Sequence, residues 1–428
     1  MMDAIAQKIE TIIGSAAVVV WEDIEATRRD RFSQVNLNHP CLVYPQSQAE
    51  LAEVITYAYQ NQWQILPCGS ATKINWGGLL QDVQVIVSTE KINQLIEHAV
   101  GDLTVTAEAG IKFADLQNTL ATAGQFLALD PTTPEATLGG IVATADTGSL
   151  RQRYGGVRDQ LLGITFVRAD GKIAKAGGRV VKNVAGYDLM KLFTGSYGTL
   201  GIITSVTFRV YPIPEASSTV VLTGDADGIA QAMTSLRASA LTPVAADLLS
   251  QQLVANLGIG QGLGLVVKFQ SLSASVKQQA TSLLELGQQL HLQSTVYTDN
   301  QAELWQTLQQ QMRSPAKPTD ITCKIGVLPT NAVATLVQLN QHKGLIHTSS
   351  GLGLLRFNAN TNQQSILQMR DFCQSQGGFL TVLTAPQAIK ETIDVWGYQG
   401  NALEMMRRIK HQFDPNNILS PHRFVGGI

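Results

Sequence analysis

Residues 137–159 read TLGGIVATADTGSLRQRYGGVRD, with five glycines, Gly139, Gly140, Gly148, Gly155 and Gly156, and three arginines, Arg151, Arg153 and Arg158. Glycine lets a main chain approach a ligand with no Cβ in the way, so this density reads as backbone held against something bound. A second loop, Pro67 to Lys73 with the sequence PCGSATK, follows a strand-like run. Its Gly69, Ser70, Ala71 and Thr72 can turn successive N–H groups toward a phosphate. It is not the G-x-x-x-x-G-K-[ST] phosphate loop, and taken alone it is equally an ordinary strand-to-loop turn. The run Gly195 to Gly201, GSYGTLG, spaces its glycines G-x-x-G-x-x-G and precedes a strand. The dinucleotide fingerprint G-x-G-x-x-G follows a strand and opens a helix, so nicotinamide binding is rejected here.

Histidine and serine chemistry find little support. His39, His98, His291 and His411 stand alone, His342 and His347 lie either side of Gly344, and His422 is in the tail. With no H-x-H or H-E-x-x-H, a histidine metal site is not expected. Ser149 and Ser196 lack the G-x-S-x-G elbow of a nucleophilic serine. Lys182 and Asn183, near Gly186-Tyr187, read as the solvated start of a helix.

The elements that must position these loops begin with a helix from Ala4 to Ile13 and a strand from Pro40 to Tyr44. A helix over 48–61 follows, with Leu51, Val54, Ile55 and Ala58 on one face. Strands are predicted over 64–66, 83–88 and 103–107, with a turn or short helix over 92–97 and a helix over 113–123 ending at Gly124. LLGITFVRADGKI, with its D-G turn, reads as a hairpin, and 202–210 as a strand. Pro212 and Pro214 mark a boundary. From Ser218 the pattern becomes strand (219–223), helix (226–239), strand (244–249), strand (264–270), helix (274–290), strand (294–297), and a similar alternation recurs between Ile321 and Leu383. Two β-α-β-β-α-β units in tandem imply an antiparallel sheet backed by helices. The class is α+β, with domains at 1–215 and 216–385 and a C-terminal segment at 386–428 returning to the first.

Composition sets the outer limits. At 428 residues, 44% hydrophobic and 15% charged, the chain has ample core for two or three domains. A net charge of −2 gives no electrostatic case for nucleic acid or an anionic membrane. The longest apolar run, Ala16 to Trp21, is too short to span a bilayer. Cys41, Cys68, Cys323 and Cys373 lie far apart with no C-x-x-C, which argues against an iron–sulfur cluster and fits a reducing compartment. The expectation is a cytoplasmic protein that meets a membrane only through partners.

The order of the loops carries a resemblance. PCGSATK, TVTAEAG (104–110), Asp130-Pro131, TLGGIVAT, RYGGVRD with the hairpin, and GSYGTLGIITSVTFRVYP together resemble the FAD-binding domain of the vanillyl-alcohol-oxidase, or PCMH-type, flavoproteins. Within that class, GGRVVKNVAGYDLMKLFTGSYGTLGIIT and the closing FDPNNILSPHR are similar to the FAD-binding (E) subunits of glycolate oxidase. The resemblance covers the first domain and the tail; the middle agrees only in layout, as a second α+β cap domain on an antiparallel sheet. It implies that the N–H groups of Gly69, Ser70, Ala71 and Thr72 hold the diphosphate of FAD, with Pro67 also in the cofactor set. Gly139 and Gly140 would then lie by the flavin ring, Gly201 and Ile203 by the adenine and ribose, and Thr137 and Thr144 belong to the same cofactor set. Asp130, Pro131, Gly148 and Arg158 complete the implied cofactor set.

Departures refine this. The family's ATNA reads ATAD here, with Ala145 in place of the asparagine, and the first loop lacks a histidine for a covalent flavin bond, so noncovalent FAD is implied. Around His347 the chain reads GLIHTSSGLGLLRF, without the histidine cluster by which catalytic relatives hold metal and take the substrate proton. The implied role is a FAD-binding subunit of a complex oxidising glycolate, a small 2-hydroxy acid, to glyoxylate. A larger flavin subunit and an iron–sulfur subunit would be its partners. An independent 2-hydroxy-acid dehydrogenase using His347 or tyrosines, and a structural subunit without turnover, are the alternatives.

Overall fold

The computed structural model describes residues 2–33, 37, 39–179, 186–313, 319–358 and 361–428. Lys182 and Asn183 lie outside the described residues. Two compact units emerge: Met1–Thr147, Gly156–Pro212 and Lys390–Ile428 form the first, Gly148–Gly155 and Ile213–Ile389 the second.

In the first unit, strands Cys41–Val43, Val85–Ser88 and Ile65–Cys68 run parallel, and Val18–Val19 pairs antiparallel with Cys41–Val43. Val85–Ser88 lies between two neighbours with all four side chains buried, which is why its sequence, VIVS, does not alternate. Helix Gln48–Asn61 starts where the Glu50 N–H donates to Ser47 Oγ, and it buries Leu51, Val54, Ile55 and Ala58. Parallel strands deliver their C-terminal ends to one edge, and the loop beginning at Gly69 leaves from there.

A five-stranded antiparallel sheet completes this unit, in the order Leu95–Ala99, Thr104–Glu108, Ile202–Arg209, Leu161–Val167, Ile173–Gly177. The last two strands form the expected hairpin, whose turn needs Gly171 at φ 79. Where the sequence predicts a turn or short helix over 92–97, the structure has the edge strand Leu95–Ala99. Its Leu95 and Ile96 are exposed, so no inward–outward alternation marks it. The tail is bound in by backbone: the Ile65 N–H donates to Ile418 O at 2.6 Å, and the Ser420 N–H to Ile65 O at 2.8 Å.

The second unit is built on one eight-stranded sheet in which every pairing is antiparallel. Its spatial order is Gln293–Tyr297, Ala216–Gly224, Leu263–Ser271, Ala245–Leu249, Lys343–His347, Leu352–Phe357, Ile321–Gly326, Phe379–Thr384. Each half runs strand, helix, strand, strand, helix, strand along the chain, with helix Gln251–Leu257 inserted between the two middle strands of the first half. The halves meet edge to edge at Ala245–Leu249 and Lys343–His347, with Asp247 opposite His347. Helices Gln251–Leu257 and Gln301–Arg313, to which the sequence reading assigns nothing, pack Leu253 and Val254 with Leu304, Leu308 and Met312 in one core. No helix among the described residues is long and apolar enough to cross a membrane.

Candidate cofactor site

Within the first unit an open cleft is walled by residues 67–74, by Thr137, Gly139, Gly140, Ala143 and Thr144, and by residues 197–198 and 201–203, together with Thr89 and Arg423. The loop from Gly69 is turned inside out by arginines of helix Ala26–Ser33. Arg28 donates to Gly69 O at 3.0 Å and Arg31 to Ser70 O at 3.1 Å, while Glu90 holds Arg28 at 2.6 Å. With the carbonyls drawn away, the N–H groups of Ser70, Ala71 and Thr72 have no acceptor among the described residues. Ala71 sits at φ 55, the left-handed conformation that makes consecutive N–H groups converge. A row of N–H groups without protein acceptors on the wall of an open cleft suits an anionic or oxygen-rich ligand.

The charges of the wall divide into two kinds. Lys73 and Asp146, each 4% exposed in the side chain, form an ion pair at 3.1 Å, and the Thr132 N–H and hydroxyl also donate to Asp146. Arg423 comes from the tail and donates to Lys73 O and Ile74 O. Burial pushes the Cys68 thiol up to about 11, so it is protonated and unreactive at neutral pH. Tyr197, Trp396 and Phe424 pack ring against ring at centroid distances of 5.0–6.0 Å at the Tyr197 end.

Of the residues singled out in the sequence, Pro67, Gly69, Ser70, Ala71, Thr72, Thr137, Gly139, Gly140, Thr144, Gly201 and Ile203 all line this cleft. Asp130, Pro131, Gly148 and Arg158 do not. Arg158 is taken up by Asp188 at 2.5 Å and by Leu161 O. Gly148 belongs to the second unit, where a Cβ would strike the Arg313 guanidinium. The two central glycines have different reasons. Gly139 donates its N–H to Ala109 O, and a Cβ on it would meet Ala109 Cβ at 2.9 Å, so protein rather than ligand demands that glycine. A Cβ on Gly140 would have only Thr137 Oγ1 nearby, at 3.2 Å. Lys73, Tyr197 and Arg423 also line the cleft, although the sequence pattern of PCGSATK, GSYGTLG and FDPNNILSPHR does not single them out.

The second unit holds a separate polar cluster. Asp247 Oδ1 meets His347 Nδ1 at 2.6 Å, and Ser149 donates to Asp247 Oδ2 at 2.5 Å. Asp247 is fully buried and His347 is 4% exposed. A carboxylate on Nδ1 fixes that nitrogen as a proton-bearing one and sets the orientation of the ring. The serine bonds the carboxylate, not the imidazole, so this is not a nucleophilic triad. The one available signal for Asp247 is a lone acid in the otherwise apolar strand AADLL.

Residues 40–177 match the family model described as "FAD binding domain", and residues 396–424 match "FAD linked oxidases, C-terminal domain". The fold is that of p-cresol methylhydroxylase with substrate bound (TM-score 0.74, 15% identity, 98% of this chain and 96% of that one). Alkyldihydroxyacetonephosphate synthase shares it, with a TM-score of 0.72 at 15% identity over 98% of this chain and 84% of that one. The chain therefore carries a FAD-binding domain of the PCMH and FAD-linked oxidase type, and is a FAD-dependent oxidoreductase.

Its relatives are more particular. "Glycolate oxidase subunit GlcD" of Bacillus subtilis is 24% identical over 413 residues, covering 89% of this chain and 87% of that protein. "Glycolate oxidase subunit GlcE" of Escherichia coli is 41% identical over 125 residues, which are 29% of this chain and 36% of that protein. "D-lactate dehydrogenase [cytochrome], mitochondrial" of Arabidopsis thaliana is 36% identical over 180 residues, 42% of this chain and 32% of that protein. The last two matches span about a third of the relatives' length.

The cleft fits FAD. Unpaired N–H groups on residues 70–72 suit a diphosphate, and the bare side of Gly140 leaves room for a flat ring.

Proposed function

We propose that the chain is the FAD-binding subunit of a complex that oxidises glycolate to glyoxylate and passes the electrons to partner subunits. The observation that carries the reading is the cleft, whose loop presents acceptor-free N–H groups beside two glycine-lined walls. The chain's similarity to GlcD and GlcE, both subunits of a glycolate oxidase, supports the subunit role. FAD, when bound, is the two-electron acceptor. The chain's own part is to grip the diphosphate through residues 69–72, to keep Lys73 neutralised by Asp146, and to leave space over Gly140. Pro67, Thr137, Thr144, Gly201 and Ile203 supply the remaining wall. With no histidine in the first loop, the cofactor is held without a covalent bond.

A second reading, an independent FAD-linked 2-hydroxy-acid dehydrogenase, draws on the Asp247–His347 pair, an imidazole held by a carboxylate as in many general bases. The two are separated by assaying the lone chain with an artificial electron acceptor, on glycolate and on D-lactate, then repeating with co-expressed partner subunits. The subunit reading predicts slow turnover alone and a large rise in the complex. Equal turnover in both favours the independent enzyme.

A further inference from the structure

One cation of the cleft wall has no counter-charge among the described residues. Arg423 is 4% exposed, and its NH2 donates to Lys73 O at 3.2 Å and Ile74 O at 2.9 Å. Its NH1 is buried and has no hydrogen-bond partner among the described residues. The ionisable groups acting favourably on it are the Tyr197 hydroxyl and the Cys68 thiol, both neutral at neutral pH because burial raises each of them. Lys73 has Asp146, but no carboxylate among the described residues answers Arg423. Lys390 adds a second buried ammonium, set on the carbonyls of Asn75 and Gly77. Burial, and then the Arg423 charge, pulls it down to about 7.

The placement is enforced. The Gly78 N–H donates to Arg423 O at 2.9 Å, and Trp396 Nε1 donates to the same oxygen at 3.2 Å. A Cβ on Gly77 would meet that oxygen at 2.8 Å, and one on Gly78 would meet His422 O at 2.5 Å. A guanidinium fixed in a buried wall with one arm unpaired is costly unless an anion completes it.

We propose that Arg423 is the anion contact of the cleft, its NH1 donating to a negatively charged group of bound FAD. The contact comes from the C-terminal tail, separately from the N–H groups of residues 69–72. It rests on the reading of the cleft as the FAD site. Two parts of FAD share the required chemistry: the diphosphate, and the ring edge at N1 and the C2 carbonyl, which gains negative charge on reduction. A charge-assisted, geometrically fixed contact of this kind raises affinity if it meets the diphosphate, and the midpoint potential if it meets the ring.

The test uses the full-length, flavin-free chain as wild type, Arg423→Gln and Arg423→Lys, with folding followed by circular dichroism. FAD, ADP and riboflavin are titrated separately, and the midpoint potential and sulfite affinity of the FAD-loaded forms are measured. Arg423→Gln should weaken FAD roughly tenfold to a hundredfold. Arg423→Lys, which keeps the charge but loses the fork, should weaken it less. Loss of ADP binding with riboflavin unmoved assigns the diphosphate. Loss of riboflavin binding, with a lower potential and weaker sulfite adduct, assigns the ring. A folded Arg423→Gln chain with wild-type FAD affinity and potential overturns the proposal. If the glutamine variant does not fold, a folded lysine variant indistinguishable from wild type overturns it instead. A wild-type chain that takes up no FAD removes the cofactor reading itself, and the inference with it.

Discussion

Gly139 and Gly140 are adjacent, yet a valine at each should fail in opposite ways. At Gly139 the new Cβ lies 2.9 Å from Ala109 Cβ and 3.3 Å from Ala109 O. The Gly139 N–H is bonded to that same carbonyl at 2.8 Å, so the backbone has no room to retreat. Overpacking of this kind costs about 1–3 kcal/mol. For a unit of this size that lowers the melting temperature by roughly 2–12 °C. At Gly140 the same substitution meets only Thr137 Oγ1, at 3.2 Å, and otherwise projects into the cleft. The flavin-free Gly140→Val chain should melt within a few tenths of a kcal/mol of wild type, since valine is no worse than glycine in a helix. Its FAD affinity should collapse. Saturating FAD at about a hundred times Kd adds roughly 2.7 kcal/mol to wild type, an increment this variant should not show. The assay is paired: melting with and without FAD, and visible flavin absorbance per chain. Gly140→Val with full flavin content, or Gly139→Val melting like wild type, would refute the assignment of the two faces.

Asp247→Ala strips both Ser149 Oγ and His347 Nδ1 of their acceptor inside a buried seam, and should cost about 1–3 kcal/mol for each donor left unsatisfied, read in urea unfolding. A loss below about 1 kcal/mol, the scale of an exposed pair, would contradict this. Lys390 gives a pH signature. Its ammonium falls from 10.5 to about 7 in the folded, flavin-free chain, mainly through burial. Between those values the unfolded chain binds a proton that the folded chain does not, so stability falls as pH is lowered through the window and levels off below about 7. Lys390→Met should remove that slope and gain on wild type toward pH 7; parallel stability–pH curves would count against it.

Local signals explain what the sequence disclosed. Helix Gln48–Asn61 carries its own cap and apolar face, and the hairpin after Leu161 its own turn. The PCGSATK loop is legible because small residues after a strand leave few options for its backbone. What stayed hidden depends on neighbours far along the chain. Asp247 and His347 are a hundred residues apart and meet only because two strands pair at the seam of the second unit. Arg423 reads as one more tail residue until the tail's pairing with Ile65 carries it to the cleft. Gly139 reads as a ligand contact because the sequence does not show Ala109 behind it. The edge strand at Leu95 has too little burial to impose a pattern.

The central claim is that the first unit binds FAD in this cleft, noncovalently. The most direct measurement is titration of the flavin-free chain with FAD, followed by acid precipitation of the loaded protein. The account predicts saturation at one FAD per chain and yellow colour in the supernatant after acid. A chain that leaves FAD unbound, or a pellet that keeps the colour, would contradict it.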